Sequence, residues 1–197
     1  MKRLRYIVAA LALWAAVPAR AAAPAASASA AFLAATWEVL MYDHVDLRDG
    51  AWILETSGLD VDGTVSQLAV ILRDPVPHLG VQAAGFLALI GPRSAAAVPA
   101  LAECMLDDRS ADLRFACARA LGRVGPGARA AAIPLASALK DADPVVRAAA
   151  ARALGRIGKD SPVLRQALKA AAQDQDAEVR RSAGQALVSL VAGQSRL

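Results

Sequence analysis

Aromatic side chains are scarce in this chain: Trp, Tyr and Phe together make up 4% of its 197 residues. Its core must therefore rest on Leu, Val and Ile, and on Ala-faced helices that approach closely. Histidine is rarer still, with His44 and His78 the two present. Ser and Asp occur, but no His stands where it could complete a nucleophilic triad. A nucleophile elbow, a Gly-rich phosphate loop and a Cys-x-x-Cys pattern are all missing. Enzymatic activity has no support in the sequence, and no cofactor is implied.

Metal ligation fares little better. Asp43, His44, Asp46 and Asp49 fall in "DHVDLRDG", but neither their spacing nor a supporting shell is specified, so a solvated acidic helix start is the stronger reading. No metal is expected. The stretch "LDVDGTV", Leu59 to Val65, faintly resembles a calcium loop. Its Gly arrives too early and no closing Glu follows. A turn in which Thr64 caps the next helix is the expectation.

Acids are absent before Glu38. "MKRLR" is basic, and "YIVAALALWAAV" from Tyr6 to Val17 is a short apolar run. Small residues follow at Ala19-Arg20-Ala21 and Ala21-Ala22-Ala23. This is the layout of a secretory signal, and the apolar run is shorter than the roughly 20 residues a membrane span needs. Residues 1–23 are expected to be a cleaved signal and 24–31 a flexible lead-in. Export would leave the chain periplasmic or secreted, with no membrane attachment after cleavage.

That removal changes the charge argument. The full chain has 22 Lys and Arg against 18 Asp and Glu, net +4. Four of the bases, Lys2, Arg3, Arg5 and Arg20, lie in the signal, so the remainder is neutral. Neutrality and few aromatics oppose nucleic-acid binding. The neutral total hides an asymmetry: Glu38 to Asp112 carries 12 acids and 4 bases, whereas Leu113 to Leu197 carries 6 acids and 14 bases.

A repeat organises the rest. "LGVQAAGFLALIG" (Leu79 to Gly91), "LRFACARALGRVG" (Leu113 to Gly125) and "VRAAAARALGRIG" (Val146 to Gly158) align on their final Gly, at steps of 34 and 33 residues. "VRRSAGQALVSLV" from Val179 continues the series. Apolar positions recur at i, i+4 and i+7, such as Ala150, Leu154 and Ile157, the stripe of one helix face. Asp143-Pro144 is a helix start, with Ser110 and Asp176 in the same place. Gly91, Gly125 and Gly158 are helix stops. A second apolar segment follows each stop and closes on an acid at a joint: Asp74, Asp108, Asp141 and Asp174. A single helix pair cannot bury its apolar face alone, but stacked pairs share a continuous core.

The fold class expected is all-α, a right-handed α-solenoid of helix pairs with terminal capping helices. The predicted organisation is a cap over 32–43, a divergent repeat over 44–73, repeats over 74–107, 108–140 and 141–173, and a terminal half-repeat over 174–193.

These units resemble HEAT repeats, of the short type found in phycobilisome-lyase-like proteins. The matching residues are Val146-Arg147, Val179-Arg180 and Leu113-Arg114, the inner Ala pair, Leu121-Gly122, Leu154-Gly155 and the terminal Gly. The resemblance implies that the Arg after Val pairs with an acid at a joint, so Arg114, Arg147 and Arg180 form a ladder with Asp108, Asp141 and Asp174. Gly80 replaces that Arg in the first clear unit. Iron-dependent hydroxylases built on HEAT repeats carry His–Glu pairs, and neither His44 nor His78 forms one.

Three further sets are candidates. Cys104 and Cys117 sit symmetrically about a joint, and in an oxidising compartment they are expected to close a disulfide; the competing reading is two buried, small apolar side chains. Arg119, Arg123, Arg152 and Arg156 would align on the outer row as a basic patch for an acidic partner; the competing reading is a solvated face. Glu103, Lys140, Arg165 and Lys169 would line the opposite, concave row, where solenoids grip partners. The function expected is an exported, non-catalytic scaffold or adaptor in protein–protein interaction. A lyase-like or chaperone-like subunit acting on a bound protein is the alternative.

Overall fold

A computed structural model describes residues 61–106, 110–158 and 161–194 of the chain. The signal, the cap, the acidic cluster at Asp43 to Asp49, and Asp108 lie outside the described residues. Among the described residues, eight α-helices follow one another: α1 (Val61–Ile71), α2 (Pro77–Ile90), α3 (Val98–Cys104), α4 (Ala111–Val124), α5 (Ala132–Ala138), α6 (Pro144–Ile157), α7 (Pro162–Ala171) and α8 (Ala177–Gln194). Short 3-10 turns, Gly91–Ala97 and Gly125–Ala131, join α2 to α3 and α4 to α5. There is no strand among the described residues. The protein is an all-α solenoid.

Local chemistry sets the helix bounds. Ser110 accepts a hydrogen bond from Leu113 N–H, Asp143 from Val145 N–H and Ser161 from Leu164 N–H, each capping its helix start. Gly91, Gly125 and Gly158 stop α2, α4 and α6 at φ of 66°, 67° and 67°. That conformation carries a steric cost for any residue with a Cβ.

The first helices α2, α4, α6 and α8 lie side by side, each packed on the next. The second helices α1, α3, α5 and α7 form the other layer, each packed on the first helix that follows it. The core runs between the layers. Leu87, Leu121 and Leu154 are buried at equivalent positions, as are Ala83, Cys117, Ala150 and Ala183. Leu187, the next in the Leu series, is only partly buried. It lies on α8, where no second helix follows among the described residues to cover it. Among the described residues, the apolar stretch His78–Cys104 is long enough to cross a membrane, but it is broken by the turn at Gly91–Ala97 and its buried side chains face the solenoid core.

Thr64 does not cap a helix. It lies inside α1, on the buried face with Val61, Val65 and Leu68. The stripe of apolar side chains recruits the turn before Thr64 into the helix, and burial of that face outweighs the local preference of Thr for a cap.

Candidate functional site

The joints fix how one unit sits on the next. Asp74, Asp141 and Asp174 each accept, at 2.9 Å, a hydrogen bond from the backbone N–H two residues on. This turn closes the link between a second helix and the next first helix. Arg114 on α4 reaches forward to the joint ahead, donating from Nε to Asp141 Oδ2 at 2.7 Å and from Nη2 to Asp141 Oδ1 at 2.9 Å. Arg147 on α6 does the same to Asp174, with both bonds at 2.9 Å. Arg147 Nη1 also donates back to Asp141 O (2.8 Å) and Ala142 O (3.0 Å) of its own joint. Among the described residues, Arg180 makes the backward pair, to Asp174 O and Gln175 O, and no forward one.

Arg147 thus serves both the carboxylate one unit ahead and the carbonyls of its own joint, while Arg114 shows the forward pair and Arg180 the backward one. Both carboxyls are held below their usual range. For Asp141 the main cause is the Arg114 bond, which outweighs the opposing effect of burial. For Asp174 it is the Arg147 bond, aided by the backbone N–H of Asp176.

Cys104 on α3 and Cys117 on α4 are joined by a disulfide, with Cα atoms 6.3 Å apart and both side chains buried. The bond ties a second helix to the first helix of the next unit.

The four arginines of the outer row come together. Arg119 and Arg123 on α4, with Arg152 and Arg156 on α6, line one groove of about 340 Å³. Its remaining lining is Leu89 and Ala88 from α2, Phe115, Ala118 and Gly122 from α4, and Ala149 and Ala153 from α6. Small residues make the floor, because the helices approach closely there. A Cβ on Gly122 would stand 3.1 Å from Ala153 Cα. Two of the arginines are engaged. Arg123 Nε donates to Ala88 O at 3.3 Å. Arg152 Nη1 donates to Glu178 Oε1 at 2.9 Å and to Ser182 Oγ at 3.2 Å. Arg119 and Arg156 are exposed and have no carboxylate partner among the described residues. The apolar wall of Leu89 and Phe115, and the anchoring of Arg152 by Glu178, were not legible from the sequence. The first depends on how α2 sits beside α4, and the second on a contact 26 residues apart.

The proposed concave row is less unified. Glu103 pairs with Arg73, which donates from Nη2 at 2.8 Å, both side chains being exposed. Lys140 and Lys169 are exposed, and Arg165 is half-buried. His78 is exposed at the start of α2. No group of three His, Cys, Asp or Glu side chains is placed to hold a metal ion among the described residues.

Comparison with known proteins follows the same lines. Residues 98–188 match the family model of HEAT repeats. No curated protein matches the sequence. Among solved structures, the chain is similar to a designed armadillo repeat protein in complex with the peptide (KR)4. That match has 17% identity and a TM-score of 0.65, over 93% of this chain and 81% of the other. It is also similar to computationally designed armadillo repeat proteins for modular peptide recognition (18% identity, TM-score 0.64, 95% and 90% covered). A third similar structure is human deoxyhypusine hydroxylase in complex with glycerol (24% identity, TM-score 0.56), where 94% of this chain spans 62% of that one. At such identities the likeness is one of fold. Residues 98–188 are thus similar to HEAT repeats, and the chain is an all-α solenoid whose fold resembles that of armadillo repeat proteins.

Proposed function

We propose that the chain is an exported, non-catalytic scaffold or adaptor that binds a protein partner with an acidic surface. The observation that carries this reading is the groove: four arginines from two successive first helices converge on one small-residue floor. The arginines stand at equivalent positions on stacked units of the outer row, so they recur along that face at the repeat spacing. Two of the similar structures are designed repeat proteins described by peptide binding. The peptide named there is basic, whereas the groove here is cationic and asks for the opposite charge. Export to the periplasm or beyond is supported by the N-terminal layout of charges and apolar residues, and a disulfide suits an oxidising compartment.

The test is capture from a periplasmic extract. Immobilised wild-type protein is compared with a variant in which Arg119, Arg123, Arg152 and Arg156 are all changed to Glu. The expected result is a set of proteins held by wild type, released by salt and absent from the variant. Equal capture by both, insensitive to salt, would sink the reading.

A further inference from the structure

Two of the interfaces between successive first helices, α4–α6 and α6–α8, are copies in the same register. Gly122 stands against Ala153 where α4 meets α6, and Gly155 stands against Ala186 where α6 meets α8. The ladder repeats with the same offset, Arg114 to Asp141 and Arg147 to Asp174. Each residue at the α4–α6 interface therefore has a counterpart 33 residues later at the α6–α8 interface. The counterpart of Arg119 is Arg152, that of Val145 is Glu178, and that of Ala149 is Ser182.

At the later interface the slot is filled. Arg152 donates to the Glu178 carboxylate at 2.9 Å and to Ser182 Oγ at 3.2 Å. Arg181 grips the same carboxylate, its Nε donating to Glu178 Oε2 at 2.9 Å. At the earlier interface the slot holds no acid. Val145 and Ala149 occupy the places of Glu178 and Ser182, and Ala148 that of Arg181. Val145 is 53% exposed, and Ala149 lines the groove beside Arg119. Leu89 and Phe115 are part of the same lining.

The geometry points to a carboxylate slot at Arg119, filled by an acidic side chain of a bound peptide in the position that Glu178 takes on Arg152. The occupant is a peptide segment carrying a Glu or Asp next to an apolar residue. The acid pairs with Arg119, its neighbour packs on Leu89 and Phe115, and the exposed Arg156 takes a further carboxylate. A peptide is favoured over nucleic acid because the internal example is a carboxylate held by guanidinium and hydroxyl, and because the wall is apolar. This assignment rests on the partner-binding reading above and narrows it.

The experiment writes the missing acid into the chain. Val145→Glu supplies a carboxylate beside Arg119, and Val145→Gln is its neutral control. Position 145 lies in the first turn of α6, where an acid is tolerated or favoured. The probe is a fluorescein-labelled octapeptide of alternating Glu and Phe, with a Gln and Phe peptide as control, followed by fluorescence anisotropy. Wild type and Val145→Gln are expected to bind the acidic peptide alike. Val145→Glu and Arg119→Gln are expected to bind it about tenfold or more weakly, since one charge-assisted bond is lost in each. Melting temperatures should match wild type throughout.

Equal affinity of all four proteins for the acidic peptide would overturn the slot while leaving partner binding in place. A wild type that captures a partner from extract yet ignores both peptides would overturn the slot alone. Displacement of the peptide by a short oligothymidine at matching concentration would overturn the choice of a carboxylate occupant.

Discussion

Arg147 is 7% exposed and spends its guanidinium on four acceptors, two on Asp174 and two backbone carbonyls. A planar fork is needed to serve both joints at once, which a lysine ammonium cannot do. Removing it takes both guanidinium bonds from a half-buried carboxylate, which keeps only the Asp176 N–H, and takes a donor from two carbonyls. Arg147→Ala is expected to cost about 3–5 kcal/mol of unfolding free energy in urea titration, and Arg147→Lys to recover only part of that. A loss under about 1 kcal/mol for Arg147→Ala, the size of an exposed ion pair, would show that the ladder contributes little. The resemblance to HEAT repeats marked Arg114, Arg147 and Arg180 as joint residues, through the Leu-Arg or Val-Arg pair that opens their helices. It could not say which way each reaches, since acids stand at a joint on either side.

At the level of helices, packing overrides intrinsic preference. Gly lowers helix propensity by about 0.5–1 kcal/mol relative to Ala. Yet Gly155 sits inside α6, where a Cβ would fall 2.9 Å from Ala186 Cα and 3.0 Å from its Cβ. Gly155→Ala must push α6 and α8 apart, at a cost of about 1–3 kcal/mol. The expected net result is destabilisation by about 1 kcal/mol. Gly184 on α8 has nothing within 4 Å of its would-be Cβ, so Gly184→Ala is expected to stabilise by about 0.5–1 kcal/mol. Chemical denaturation of the two variants reads opposite signs; the same sign in both would refute the close-approach argument.

Gly80 stands where later units carry Arg, and its would-be Cβ lies 2.8 Å from Leu113 Cδ1, so that position offers no joint-bracing side chain. Cys104–Cys117 spans the joint that such an Arg would have braced. With the cysteines 13 positions apart in the sequence, its loss in Cys104→Ala/Cys117→Ala is expected to cost about 3 kcal/mol by the chain-entropy argument. Equal unfolding midpoints for this variant and the oxidised wild type would count against that role.

Over the whole molecule, stability and binding draw on the same charge type in different settings. Arg114 and Arg147 are paired within the ladder, whereas Arg119 and Arg156 face solvent. Acid should act on the ladder first. Asp141 and Asp174 have lowered folded-state pKa values, set mainly by Arg114 and Arg147. On unfolding they return to the ordinary carboxylate value near ~3.9. Their stabilisation is therefore complete above about pH 4 and is lost as pH falls below that, toward the lowered folded values. Melting temperature is expected to fall more steeply below about pH 4 in wild type than in Asp141→Asn/Asp174→Asn, which starts lower. Parallel curves would remove these two carboxylates from the acid response.

The sequence by itself determined the architecture. A 33-residue period, caps such as Ser110 and Asp143, and helix-ending Gly residues are local signals. Each acts within one or two turns of its own position, so each can be read from the chain. The apolar stripe at Ala150, Leu154 and Ile157 told which face turns inward for the same reason. Equivalent positions on successive units also placed Arg119, Arg123, Arg152 and Arg156 in one patch. Tertiary structure alone decided the rest. It set the forward direction of the ladder, drew Thr64 into a buried helix face, and joined Leu89 and Phe115 to the arginines. It also gave Arg152 a carboxylate and left Arg119 without one. Those outcomes depend on the stagger between stacked helices, a distance of a few ångströms that no local pattern encodes.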